Sequence, residues 1–175
     1  MQPLRAIRSS LTLSLSLTLS LAVLLLAPNA QALEPGDKAP QFSARSLDGT
    51  QTLSMSKYRG KVVYLDFWAS WCGPCLKSLP MMEAMRKDFA GSGLQVIAVN
   101  VDKDLGKAKK FVQKHDIGYP SAQDPEGRLP GTFEVQTMPT SFVIDRNGVI
   151  RHIHKGFKPS DMEEIRAQVK ALLAE

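Results

Sequence analysis

The chain has 175 residues, 22 Lys and Arg against 17 Asp and Glu for a formal net charge of +5, and only two cysteines. That length holds one complete core with room for a targeting segment, and it excludes a multidomain assembly. Without residues 1–32, which hold two of the basic residues and no acidic one, the balance is 20 against 17, or +3, which argues against a nucleic acid partner, and two cysteines exclude a disulfide-rich scaffold.

Residues 1–32 have the layout of a secretory signal peptide: Arg5 and Arg8, an apolar run over residues 11–27, then Ala30-Gln31-Ala32 as a small-x-small site cleaved after Ala32. The run is about 17 residues, the lower limit for crossing a bilayer, so an uncleaved anchor over residues 11–27 is the competing reading. Cleavage leaves residues 33–175 as one domain, soluble in a periplasm or other extracytoplasmic space and expected to be a monomer.

In the domain, residues 42–53 alternate around Asp48-Gly49 and predict a β-hairpin. Residues 61–68, KVVYLDFW, are almost continuously apolar and predict a buried central strand interrupted by one carboxylate, Asp66. The pair Cys72 and Cys75 follows at once. Leu79, Met82, Met85 and Phe89 then mark a helical stripe over residues 76–89, ended by Gly91 and Gly93. Residues 94–101 predict a second buried strand, and residues 104–115 a second helix whose lysines Lys107, Lys109, Lys110 and Lys114 form a solvated face. Residues 119–122 read as a short strand, 126–135 as a helix broken at Pro130-Gly131, and 140–145 as a strand. Arg146-Asn147-Gly148 turns the chain into a strand over 149–154, and a helix over 159–173 closes it. Strand, helix, strand, helix implies an α/β domain with a parallel core.

Cys-x-x-Cys at the end of a strand and the start of a helix points to reversible thiol/disulfide chemistry. A staple closing so small a loop stabilises little. The unpaired N–H groups and dipole of a helix N-terminus favour a thiolate, lowering a cysteine from about 8.5 into the range of roughly 3.5 to 7. Cys72 is therefore expected to be the exposed nucleophile, and Cys75, one turn inside the helix, the buried resolving thiol. Asp66, a carboxylate in an apolar strand, is raised by desolvation and suits proton relay; a purely structural, hydrogen-bonded carboxylate is the alternative.

The segment Asp66-Phe67-Trp68-Ala69-Ser70-Trp71-Cys72-Gly73-Pro74-Cys75 resembles the active site of a thioredoxin. Pro80 falls where thioredoxins kink the active-site helix, and Met138-Pro139-Thr140 resembles the loop whose proline is cis and faces the dithiol. The extra length between Asp102 and Glu134, the N-terminal hairpin and the run Pro139 to Asp145 resemble the exported TlpA/ResA-like, DsbE-type branch of that superfamily. The resemblance implies a thioredoxin-like central mixed β-sheet with helices on both faces, an N-terminal hairpin and a helix/strand insertion after the second core strand. It also implies Asp66 as general acid/base for Cys75, Pro139 as the cis-proline, and Trp71, Gly73, Pro74 and Met138 as substrate contacts, with the Met138 backbone open to an extended client. Two positions depart from relatives: Ser78 stands where this branch carries glutamate, and Ala98 where cytosolic thioredoxins carry lysine.

The expected activity is thiol-disulfide exchange, in the reducing direction because Gly-Pro between the cysteines resembles thioredoxin, at about −270 mV, rather than DsbA, at about −120 mV. The redox-active disulfide is the only redox group expected, with no cofactor and no metal. Electrons then have to come from a membrane thiol donor of the DsbD or CcdA type, and clients are oxidised proteins, including apocytochrome c or a copper-assembly factor. A thiol oxidase on the same fold is the first alternative. A copper-binding chaperone is another, since Cys-x-x-Cys is half a metal site and His152 and His154 share a strand face. Peroxidase chemistry is the least matched, its reactive cysteine belonging to a different local motif.

Overall fold

A computed structural model describes residues 32–175, so the predicted leader lies outside the described residues but for Ala32. The elements are β1 (Ser43–Arg45), β2 (Thr52–Ser54), β3 (Val62–Trp68), α1 (Gly73–Asp88), β4 (Leu94–Asn100), α2 (Leu105–Lys114), β5 (Ser121–Gln123), α3 (Arg128–Thr132), β6 (Thr140–Ile144), β7 (Ile150–Lys155) and α4 (Met162–Ala174). Short 3-10 turns at Met55–Tyr58 and Pro159–Asp161 precede β3 and α4. Among the described residues no helix is long and apolar enough to cross a membrane.

Five strands form a mixed sheet in the order β5-β4-β3-β6-β7, while β1 and β2 pair separately as the expected hairpin. β3 runs parallel to β4 and β4 to β5; β6 is antiparallel to both β3 and β7. All seven residues of β3 are buried, as its continuous apolar run requires of a strand covered on both faces.

Alternation along β3 divides the core in two. Val62, Tyr64 and Trp68 join Leu79, Met82 and Met85 of α1, Ala108 of α2 and Ile165 and Val169 of α4 on one face. Val63, Leu65 and Phe67 join Phe42 and Leu53 of the hairpin segment and Phe133 after α3 on the other. Phe133 is the aromatic hub of that second layer, 5.3 Å from Phe67 and 5.4 Å from Phe142 between ring centroids. The long helices thus share one face; the hairpin and the five-residue α3 cover the other.

Differences from the expected boundaries have local causes. α1 begins at Gly73, three residues early, because Cys72 itself serves as N-cap and Pro74 suits the first turn. The short strand starts at Ser121 and not at Tyr119, since Pro120 has no N–H to pair. The broken helix over 126–135 shrinks to Arg128–Thr132, opened by Gly127 at φ 67° and closed before Phe133 turns into the core.

The segments on either side of β1 stitch the sheet together. The Gly36 N–H donates to the Ile150 carbonyl at 2.8 Å, and the Ile150 N–H to the Asp37 carbonyl at 2.8 Å. On the opposite edge, the Leu47 N–H donates to the Ser121 carbonyl at 2.6 Å. One stretch near the start of the domain therefore touches both edge strands, β7 and β5.

Candidate active site

β3 delivers the chain to the start of α1, and the two cysteines sit at that junction. They form a disulfide, with Cα atoms 5.2 Å apart. The Cys75 N–H points at the Cys72 Sγ, 3.3 Å away, and the Leu76 N–H donates to the Cys72 carbonyl at 3.1 Å. Pro74 contributes no N–H, so the Cys72 sulfur takes the donor that the first turn leaves unpaired, the position where negative charge is most favoured.

Expected to be exposed, Cys72 retains only 5% of its surface, against none for Cys75. It is the more accessible of the two, but within a rim built by other segments. Trp71 supplies that rim; at 67% it is the one large hydrophobic side chain exposed among the described residues. Trp68 points the other way, fully buried, and its Nε1–H donates to Ser121 Oγ at 3.0 Å.

The Met138–Pro139 bond is cis, as the resemblance implies. Pro139 is buried and its carbonyl accepts from the Gly156 N–H at 2.7 Å, while Met138 lies at the surface side. Trp71, Cys72, Pro74 and Met138 line one open groove of about 460 Å³, completed by Pro130, Val135, Gln136 and Thr137. Gly73 lies outside this lining, in open space where an added Cβ would meet nothing within 4 Å. Pro130 and Val135 come from the insertion and were not among the expected contacts; only the fold brings them beside Cys72.

Asp66 is fully enclosed, 1% exposed, with Ala98 beside it on β4 and Ser141 on β6. No lysine neighbours it in that register. Neither carboxylate oxygen closes a hydrogen bond, and burial pushes the group up to about 8, against a partial lowering by the nearby Ser141 hydroxyl. A carboxyl group at that value exchanges its proton near neutral pH.

A second polar cluster, not anticipated, holds the loop ahead of the cysteines. Asp102 accepts from the Ser70 N–H at 2.9 Å, from Ser70 Oγ at 3.0 Å and from Asn100 Nδ2 at 2.8 Å, while its own N–H donates to Asn100 Oδ1 at 3.2 Å. Asn100 and Asp102 close the apolar strand β4, and two polar residues there were the available signal. Asp102→Ala should strand the Ser70 and Asn100 donors and cost about 2 to 3 kcal/mol, read as a lower urea midpoint at unchanged slope.

Ser78 is buried within α1 and donates to the Cys75 carbonyl at 3.0 Å. A hydroxyl thus stands at position 78 and bonds back to the backbone of Cys75 itself. Glu83, five residues on, is buried too, gripped by Arg86 at 2.7 Å, and held below the usual carboxylate range by that guanidinium despite its burial. Among the described residues no three potential ligands cluster to hold a metal. His154 is turned to Gln168, with Nε2 and Oε1 2.8 Å apart.

Comparison with known proteins agrees with this geometry. The AhpC/TSA family model matches residues 35–153. The thiol-disulfide oxidoreductase ResA of Bacillus thuringiensis subsp. konkukian is 33% identical over 134 residues, 77% of each chain. The thioredoxin-like protein YneN of Bacillus subtilis is 35% identical over 127 residues, covering 71% of this chain and 73% of that one. Among solved structures, one from Chlorobium tepidum assigned as a thiol:disulfide interchange protein DsbE superposes with a TM-score of 0.77 at 45% identity, over 81% of this chain and 99% of that chain. The dithiol at a helix N-terminus beside a cis-proline loop accords with these names, and the chain belongs to the AhpC/TSA family, among the TlpA/ResA/DsbE-type thiol-disulfide oxidoreductases of the thioredoxin superfamily.

Proposed function

We propose that the protein reduces disulfides of extracytoplasmic client proteins, with Cys72 as nucleophile, Cys75 as resolving thiol and Asp66 as the proton acceptor. The observation that carries this reading is the Cys75 N–H directed at the Cys72 sulfur. In the reduced protein the same donor stabilises a Cys72 thiolate, which attacks one client sulfur and expels the other as a thiolate. A mixed disulfide results. Asp66 takes the proton of Cys75, whose thiolate attacks the Cys72 sulfur, releasing the second client thiol and restoring the Cys72–Cys75 disulfide. Two electrons pass from the dithiol to the client, and the expelled client thiolates take up protons from Asp66 and from water.

The groove of Trp71, Pro74, Met138, Pro130 and Val135 suits an extended client segment, since the Met138 backbone groups carry no hydrogen bond among the described residues. Each turnover consumes the dithiol, which supports a membrane thiol donor of the DsbD or CcdA type. Apocytochrome c and a copper-assembly factor are the client classes to test first. The leader-like residues 1–32 support an extracytoplasmic location.

Direction is settled by equilibrium with glutathione buffers of graded ratio, read by thiol alkylation. A potential near about −270 mV supports the reductase, and one near about −120 mV overturns it in favour of an oxidase. Clients are identified with Cys75→Ser, which should accumulate mixed disulfides through Cys72. Linkage through any other residue would reverse the assignment of roles.

A further inference from the structure

Five residues form a row straight across the sheet on the face that carries α1 and α4: Ser121, Ala98, Asp66, Ser141 and His154, each in register with the next. Four are polar, and three of these, Asp66, Ser141 and His154, lie side by side from its centre to the β7 edge. Asp66 and Ser141 are 1% and 3% exposed, and Tyr64, two residues before Asp66 on the same strand face, is 1% exposed. Water is therefore no ready partner for any of them.

The Tyr64 hydroxyl donates to Ser141 Oγ at 2.7 Å. A phenol beside an aliphatic hydroxyl could bond in either sense, but the direction matters here. With Tyr64 donating, the Ser141 oxygen is an acceptor and its single proton remains to be placed. Directly opposite in the antiparallel pair, where side chains on one face stand about 5 Å apart, is the Asp66 carboxyl, whose two oxygens have no partner. His154 on the other side is engaged outward by Gln168 and makes no hydrogen bond to Ser141.

We propose that Ser141 is a positioning residue for proton transfer: it accepts from Tyr64 and turns its own proton onto Asp66 when that carboxyl ionises, so that a chain Tyr64–Ser141–Asp66 holds the charged form. Donation through a relayed hydroxyl strengthens each link in a dry interior. The chain gives the Asp66 carboxylate a donor where an ammonium group is absent, since the β4 position beside it is Ala98. Ser141 forms and breaks no covalent bond. It favours the anion of its neighbour and thereby sets how readily Asp66 accepts a proton.

The other ionisable groups around this chain are few. Tyr119 comes from the loop before β5, its hydroxyl donating to the Leu79 carbonyl at 3.2 Å; the phenols of Tyr64 and Tyr119 are both held protonated by burial, with the Asp66 charge adding to it. Asp161 reaches the field of Tyr64 from the turn before α4, Glu83 that of Tyr119 from α1, and His152 and His154 line the face from β7. Cys75, at the head of α1, shares the same core layer. None of the carboxylates or histidines named donates to Asp66.

The inference rests on the role proposed for Asp66, and its test reads Asp66 itself. Oxidised protein carrying 13C-labelled aspartate is titrated by NMR from neutral to alkaline pH, following the Asp66 carboxyl carbon. Ser141→Ala should move the Asp66 midpoint up by about one unit, the tenfold that one hydrogen bond to the charged form is worth. Ser141→Thr, which keeps the hydroxyl, should restore it, and Tyr64→Phe should move it part of the way. His154→Ala should leave it in place. An unmoved or lower midpoint in Ser141→Ala overturns the proposal, as does an equal displacement in His154→Ala. Should Ser141→Ala not fold, a Tyr64→Phe midpoint identical to the parent's overturns it instead. A displaced midpoint with an unchanged pH profile of disulfide reduction upholds the Ser141 contact and counts against Asp66 as the acceptor.

Discussion

Cys72→Ser is expected to remove disulfide reduction by at least about 10³-fold, the scale on which an essential nucleophile is lost, while leaving the fold intact. Serine at the N-cap keeps a side chain able to accept from the residue-75 N–H, so the geometry at the head of α1 survives the change. What is lost is the polarisable sulfur that both attacks the client and is attacked in turn. Cys75→Ser should show a similar loss in multiple turnover by a different route: the first attack still occurs and stalls as a covalent complex. Reduction of a fluorogenic disulfide peptide separates the two, since Cys75→Ser releases up to one equivalent of thiol per protein in a first phase and Cys72→Ser none. A first phase in Cys72→Ser would remove Cys72 from its role.

Asp66→Asn is expected to stabilise the oxidised protein and slow it, both strongly. The folded carboxyl titrates at about 8 and the unfolded one at about 3.9. In the native state the group is therefore still protonated where the unfolded chain has already released its proton. Stability must fall as pH rises across that window, by about 1.4 kcal/mol per unit and on the order of 5 kcal/mol in all, and level off beyond it. Asparagine removes this linkage, worth about 4 kcal/mol at pH 7, and returns part of it because its amide donors are buried without partners. A net gain of about 2 kcal/mol at pH 7 is expected, with a flattened pH profile in urea unfolding. Turnover should drop by about 10²-fold, the usual reach of one general acid/base group. A parent protein whose urea midpoint is level from pH 4 to 8 would contradict the assignment.

Much of this site was legible along the chain because its parts are local. The apolar run ending in Cys-x-x-Cys shows strand, turn and helix within fifteen residues, and Asp66 announces itself as the lone carboxylate in KVVYLDFW. Pro139 was legible only through resemblance. The remainder depends on which strands lie side by side. Ser141 is an ordinary serine in an apolar strand until β6 pairs antiparallel with β3 and sets it against Asp66, 75 positions earlier. Pro130 and Val135 belong to an insertion that reads as a broken helix; Phe133, anchored in the aromatic layer, is what turns them toward Cys72. The burial of Cys72 has the same origin, in neighbours contributed by separate segments. Asp102 follows its partner Asn100 by two residues, yet its purpose shows only through Ser70, 32 positions away.

The stretch that closes both edges of the sheet has a kinetic meaning. Its contacts are among the most distant in the chain: Lys38 Nζ reaches the Asn147 carbonyl across 109 positions, and the Leu33 N–H reaches Glu134 across 101. These bonds need the turn between β6 and β7 and the segment after α3 to be in place, so the beginning of the domain cannot complete its contacts before them. Until then β5 and β7 present bare backbone, the state in which a strand recruits a second chain. Any delay in docking those early residues therefore lengthens the time for which the nascent domain is open to aggregation.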